Sequence, residues 1–335
     1  VKLFDVSSLG AADLPARMTA AITAAAGALR RGDLVGIPTE TVYGLAADAT
    51  NARAVAGIYA AKGRPSFNPL IAHVSSHAMA EEHGAFDAET RALAEAFWPG
   101  PLTLVVPKRA GSTISDLVTA GLETLALRMP KNDATLQLIR MLGRPIAAPS
   151  ANLSGGISAT SAGDVVAELG DRVAVVLDDG PCPVGLESTI VMLSGGVARL
   201  LRPGGTPRGA IEAVLGRPLV APFGGAAAGS RPLSPGMLTS HYAPRAGVRL
   251  DADDVQPGEA WLGFGPDVPR GVDRAVAAAN LSDGGDMVEA AANLFRLLRS
   301  LDASGATMIA VAPIPGDGLA EAIRDRLMRA AAPRE

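Results

Sequence analysis

The string KGRPSFNP, residues 62–69, sets two cations, a serine and an asparagine between prolines. Lys62 offers a point charge and Arg64 a planar fork of donors, two ways of meeting a phosphate or carboxylate. Pro65 and Pro69 stiffen the backbone that carries them, and pre-ordering lowers the entropy cost of holding an anion. The bland reading is that both cations only balance the negative end of a helix. Other stretches raise the same choice. IPTETVYGLAAD (37–48) brings Thr39, Glu40, Thr41 and Tyr43 to the end of a buried strand, where α/β sheets bind ligands, or else forms a polar turn. In HVSSH, His73 and His77 are four apart, a metal spacing on a helix. Here the pair straddles a strand end and has no HExxH glutamate, so His73 reads better as a small-ligand contact. TLALRMP ends an apolar strand on Arg128, which needs a carboxylate or phosphate partner, internal or bound. APSANLSGGIS (148–158) surrounds two glycines with Ser150, Asn152, Ser154 and Ser158, so backbone N–H groups can approach an anion. GLESTI and LLRPGG add Ser188, Thr189 and Arg202. None of these decides the matter alone. Together they point to a polyanion site, yet neither a G-x-x-x-x-G-K-[ST] loop nor a G-x-G-x-x-G turn is present.

The elements around these loops read as α/β. ARMTAAITAAAGALRRG is an Ala-rich helix stopped by Gly32, LVGIP a buried strand, and ARAVAGIYAAKG a helix with Asn51 as N-cap and Gly63 as stop. PLIAHV, LTLVVP, TLALRMP, PIAAPS, VAVVLDDG, STIVML and VARLLRPG read as strands. DAETRALAEAFW (capped by Asp87), DATLQLIRMLG and SAGDVVAELG read as helices. Residues 216–246 are dense in Pro, Gly and Ala and lack a period, as a linker would; structureless stretches of that length are often functional. Beyond it the sequence predicts strands VRLD, AWLGFG, AVAAANL and TMIAVAPI. Two helices, GDMVEAAANLFRLLRSLDASG and GLAEAIRDRLMRAA, complete a small α/β domain with a parallel sheet. In the first of them Val288, Ala292, Phe295, Leu298 and Leu301 are expected on one face.

Bulk properties narrow the function. A chain of 335 residues is long for one core, so two domains are expected. The net charge of −4 and 4% aromatics argue against broad nucleic-acid binding as the main role. The single cysteine, Cys182, excludes an internal disulfide and a Cys-based zinc site. No apolar run approaches the ~18 residues of a membrane span. The opening VKLFDVSSLGAADL has no basic-then-apolar signal pattern, and a cytoplasmic protein is expected.

In order, PTETVYGL, KGRPSFNPL, FWPGPLT, LRMP, APSANLSG, ESTI and RPG closely resemble the Sua5/YrdC family of threonylcarbamoyl-AMP synthases. SPGMLTSHYAP (234–244) and NLFRLLRSLD resemble its longer, two-domain Sua5 branch. The resemblance implies a YrdC-like twisted mixed sheet with helices over 1–215, a linker or lid over 216–246, and a Rossmann-like α/β domain over 247–335. It implies a nucleotidyltransferase that makes threonylcarbamoyl-AMP and pyrophosphate from L-threonine, bicarbonate and ATP, with Mg²⁺ carried by ATP and no protein metal ligand. The product would feed a downstream threonylcarbamoyl transferase machinery for t6A modification of tRNA. By motif match Thr41, His73, Arg128, Ala148 and Ser188 would hold threonine. Arg64, Asn68, Thr124, Ser150, Ser158, Arg202 and Tyr242 would hold ATP. Lys62 and Arg64 would be the catalytic cations. Two departures stand out: Ala46 and Ala47 replace a frequent glycine after YGL, and SAT at 158–160 replaces a frequent SPT. Rival readings are a double-stranded-RNA or nucleotide-binding regulator, possible RNA contact included, and a hydrogenase-maturation carbamoyltransferase, whose zinc cysteines are missing here.

Overall fold

The computed structural model describes residues 1–7, 14–221, 232–236 and 240–333. Its elements are β1 (Lys2–Asp5), α1 (Leu14–Arg31), β2 (Val35–Ile37), β3 (Gly44–Asp48), α2 (Ala52–Lys62), β4 (Ile71–His73), α3 (His77–His83), α4 (Ala88–Phe97), β5 (Leu102–Pro107), α5 (Asp116–Thr119), β6 (Thr124–Arg128), α6 (Asp133–Leu142), β7 (Ile146–Ala147), α7 (Ala162–Leu169), β8 (Val175–Asp178), β9 (Thr189–Ser194), β10 (Val197–Arg202) and α8 (Arg208–Leu215). Then come β11 (Gly247–Arg249), β12 (Glu259–Gly263), β13 (Ala278–Asn280), α9 (Met287–Ala303), β14 (Met308–Val311) and α10 (Leu319–Ala331).

The first ten strands form one mixed sheet in the order β1-β8-β2-β3-β7-β4-β6-β5-β9-β10. β1, β8 and β2 are mutually parallel, β3 and β7 run antiparallel to their neighbours, and β4 lies parallel to β6. The last four strands form a separate sheet, β11-β14-β12-β13, parallel throughout as its sequence pattern predicts. Capping follows the sequence closely. The Asn51 side chain accepts the N–H groups of Arg53 and Ala54, Gly63 ends α2 at φ 62°, and Asp87 caps α4 through the Thr90 N–H.

Some expectations need correction. The second half of IPTETVYGLAAD is not loop: Gly44–Asp48 is a fully buried strand, and the polar loop shrinks to 38–43. β1, α3 and α8 were not expected from the sequence; α3 has only seven residues, too few to show a helical period. Val288 is 63% exposed, because the buried stripe of α9 is centred on Leu294, Leu298 and Leu301 and leaves Val288 on its flank. Of the linker, 222–231 and 237–239 lie outside the described residues.

The two sheets share an interface built into the core. Val42, Ile157, Leu186 and Tyr242 belong to the same apolar cluster as Leu294, Phe295 and Ile323. Gly185 (φ 68°) lies against α9 so closely that a Cβ there would come 2.5 Å from Ala292 Cα. Ion pairs Arg299–Glu168, Arg208–Glu321 and Arg326–Glu187 cross the same boundary. Among the described residues no helix is long and apolar enough to cross a membrane.

Candidate active site

Because β4 and β6 are parallel in register, His73 and Arg128 end their strands side by side. Next to them, the β2–β3 loop presents Thr41 and β7 runs out into Ala148 and Ser150. All five line one cavity. The lining also includes Arg64 beyond α2, Ser188 before β9, and Arg202 at the end of β10. Tyr242, with Pro235, Gly236 and His241, closes the mouth. So nine expected site residues converge from nearly the whole chain: Thr41, Arg64, His73, Arg128, Ala148, Ser150, Ser188, Arg202 and Tyr242.

Four expected residues do not line the cavity, each for a visible reason. Lys62 is buried beneath the serine-rich loop, where its ammonium donates to the Ser150 carbonyl (2.6 Å) and to the Asn152 carbonyl. These bonds brace the loop that carries Ser150. Burial and the neighbouring Arg64 pull the Lys62 ammonium down to about 7, with Glu168 opposing. The Asn68 backbone carbonyl accepts from Arg64 Nε at 3.2 Å, and Pro69 O accepts from Nη2 at 3.0 Å. The KGRPSFNP loop therefore folds back to orient its own arginine. Thr124 opens β6, four residues before Arg128. Ser158 is wholly buried and donates to Glu187 Oε1 at 2.5 Å.

The cavity has polar groups in need of partners. Arg128 Nε donates to Gly100 O at 3.2 Å. Its Nη2 lies 2.8 Å from Glu40 Oε2, an ion pair, yet neither carboxylate oxygen of Glu40 nor Nη2 reaches hydrogen-bond alignment. His73 Nδ1 and His241 Nδ1 in the lining also lack partners, as do buried Asn68 Oδ1 and Ser234 Oγ, which lie outside it. Buried polar atoms are normally satisfied, so a convergence of unsatisfied ones marks a place that a polar ligand can complete. Burial, reinforced by Arg128, pushes His73 down to about 3; burial does the same to His241, with Arg64, Lys62 and Arg202 adding to it and Glu187 opposing. Both imidazoles are neutral at pH 7 and act as hydrogen-bonding groups. The thiol of Cys182 is buried and its pKa is raised by burial, so it is inert packing in its turn.

Positive charge dominates the lining. Arg202 donates through Nε and Nη2 to Ser188 O (3.1 and 2.9 Å), and Ser188 Oγ lies 2.7 Å from Thr103 Oγ1. A Cβ at Gly204 would come within 2.4 Å of Glu187 O, so glycine lets the RPGG turn lie directly on the ESTI segment. Glu187 and His241 were given no role from the sequence, and Glu40 only a place in the candidate loop. Glu187 and His241 sit beside named site residues in ESTI and SHYAP, which was the available signal. Among the described residues no group of three or more His, Cys, Asp or Glu is arranged to hold a metal. The carboxylate of Glu187 in the lining is already engaged by Ser158 and Arg326.

The space left between these groups is about 50 Å³, far below the ~300–1,000 Å³ of small-molecule sites. Tyr242 holds φ 61° and stacks on Phe295 at 5.4 Å between ring centroids, so its position is set by the second sheet domain.

Residues 27–204 match the Sua5/YciO/YrdC family model, described as telomere recombination. Residues 207–332 match the model described as threonylcarbamoyl-AMP synthase, C-terminal domain. The threonylcarbamoyl-AMP synthase of Bacillus subtilis is 41% identical over 325 residues, covering 93% of each chain. That of Schizosaccharomyces pombe is 34% identical over 365 residues, covering 95% of this chain and 90% of its own. The crystal structure of Pyrococcus abyssi Sua5 complexed with L-threonine superposes with a TM-score of 0.86 at 34% identity, covering 99% of this chain and 98% of that one. With both models matched and the motifs converging on one cavity, the chain belongs to the Sua5/YrdC family of threonylcarbamoyl-AMP synthases, in its two-domain form.

Proposed function

We propose that this cavity joins L-threonine, bicarbonate and ATP into threonylcarbamoyl-AMP and pyrophosphate. The observation that carries the reading is one cavity lined by three arginines, Arg64, Arg128 and Arg202. Arg128 exchanges its imperfect pairing with Glu40 for the threonine carboxylate, with Thr41, His73, Ala148 and Ser188 around the amino acid. Arg64, Ser150 and Arg202 meet the nucleotide, and Asn68, Thr124 and Ser158 support that half. Lys62 contributes by bracing the Ser150 loop. Mg²⁺ arrives on the phosphates of ATP as part of the substrate.

The reaction needs positioning more than acid–base work. The threonine amino nitrogen bonds to the bicarbonate carbon with loss of water, and an oxygen of the resulting carbamate attacks the α-phosphorus in line. The bond from that phosphorus to the bridging oxygen breaks, and pyrophosphate leaves with the electron pair. Negative charge grows on the phosphoryl oxygens, where fixed arginines stabilise it most. Residues 216–246 serve as a lid between a catalytic unit (1–215) and a C-terminal unit (247–335). A 50 Å³ cavity cannot admit both substrates, so the lid opens for entry and closes to keep water from the carbamate and the adenylate. The product passes to a threonylcarbamoyl transferase for t6A in tRNA.

The test is pyrophosphate release from MgATP by the purified chain. Release that requires both threonine and bicarbonate supports the reading. ATP binding without such release, alongside salt-dependent RNA affinity, would replace it with an RNA-binding regulator.

A further inference from the structure

Arg326 lies in α10, far along the chain from the cavity, yet none of its surface is exposed. A buried guanidinium is costly unless it is paired. Its Nε donates to Glu187 Oε2 at 2.9 Å, and its Nη1 to Pro203 O at 2.9 Å and to Asp325 Oδ2 at 2.7 Å, while its Nη2 has no hydrogen-bond partner. Its central carbon sits 5.3 Å from the centroid of the Tyr242 ring. The other oxygen of Glu187 accepts from Ser158. One side chain of the C-terminal unit thus reaches the Glu187–Ser158 pair, the turn after Arg202, and the aromatic ring at the cavity mouth. By contrast, Arg208–Glu321 crosses the same interface partly exposed and involves no residue of the cavity lining.

We infer that Arg326 is a positioning residue for the nucleotide half of the site, acting through Glu187. Glu187 is an anion beside the phosphate-binding cations. Balanced by Arg326, it leaves the charge of Arg202 available to the ligand. Without Arg326, the carboxylate turns to Arg202 and quenches it, Ser158 loses its alignment, and Tyr242 loses the cation beneath its ring. The C-terminal unit therefore completes the electrostatics of a site whose other residues lie in the first sheet and the linker.

The inference rests on the proposed nucleotide role of Ser158, Arg202 and Tyr242, and the test separates the two. Pyrophosphate release by the full chain is measured with ATP and threonine varied in turn. Arg326→Met raises KM for ATP about tenfold and leaves KM for threonine within about twofold, a coupling of ordinary size for paired buried groups. Adding Glu187→Gln to that variant recovers about threefold in ATP KM, because the competing carboxylate is gone. Arg208→Met is the control: it lowers Tm and shifts neither KM. Equal shifts in both KM values, or lost stability with unchanged KM, would overturn the inference. Should Arg326→Met not fold, Arg326→Lys keeps the charge but cannot span both Glu187 and Pro203; an unchanged ATP KM in that variant overturns the inference equally. A wild-type chain without threonine-dependent release defeats the underlying reading instead.

Discussion

The two ends of the cavity are held in different ways. At the end proposed for threonine, His73 and Arg128 are adjacent because two parallel strands pair them, and Thr41 and Ala148 follow from the strands alongside. Backbone ladders fix that geometry. At the end proposed for the nucleotide, Arg64 is aimed by carbonyls of its own loop, Ser150 by buried Lys62, Ser158 by Glu187, and Tyr242 by Phe295 and Arg326. Side-chain tethers and domain docking fix that one. On the proposed assignment, the amino acid would meet the rigid end and the nucleotide the docked one, a division of labour that suits a site with a lid.

The sharpest way to separate the ends is Arg128→Ala. It removes the threonine cation and strands the buried Glu40 carboxylate. Threonine affinity should fall about 100-fold, the size expected when a buried charged partner is lost, with ATP affinity within about twofold. Titration calorimetry reads both, and an unchanged threonine affinity would remove Arg128 from that role. Next in size is Tyr242→Ala, which opens the mouth and vacates the Phe295 stack. The lifetime of the adenylate in the site should shorten about tenfold, on the scale of lost aromatic packing, while threonine affinity holds. A product lifetime equal to wild type in a rapid-quench experiment would count against the lid.

A smaller effect separates the ends by pH. His73 belongs to one and His241 to the other, and both are held at about 3 from an ordinary 6.5. The unfolded chain then binds protons that the folded chain does not between those values. Stability is full above pH 6.5 and falls as pH drops towards 3, by up to about 1.4 kcal/mol per pH unit for each histidine. Glu187, held at about 2 because Arg326, Arg202 and the Ser158 and Arg326 hydrogen bonds outweigh the opposing effect of burial, adds to that loss only below about 4.5. Thermal unfolding between pH 7 and pH 5 should show Tm falling with acid. His241→Gln should flatten part of the slope; an identical slope would mean that His241 is not held neutral.

Most of the architecture was legible because it is local. Helix starts at Asn51 and Asp87, the stop at Gly63, and the parallel pattern after the linker all depend on neighbours within a few residues. Departures came where local signal is thin. β3 carries small residues after a polar turn, α3 is too short for a period, and the flank position of Val288 depends on what α9 packs against.

The site divides along the same line. Order and residue type alone identified the cationic, hydroxyl and glycine segments, since those chemistries are written in the side chains themselves. Which of them face the cavity was decided only by the tertiary structure. Lys62 reads as a ligand cation and is a buried brace, because the Ser150–Asn152 carbonyls close over it. Glu187 and Arg326 lie 139 residues apart and meet as a wholly buried pair. No local pattern encodes such a meeting: it depends on how two separately folded sheets dock, and burial then makes the pairing obligatory.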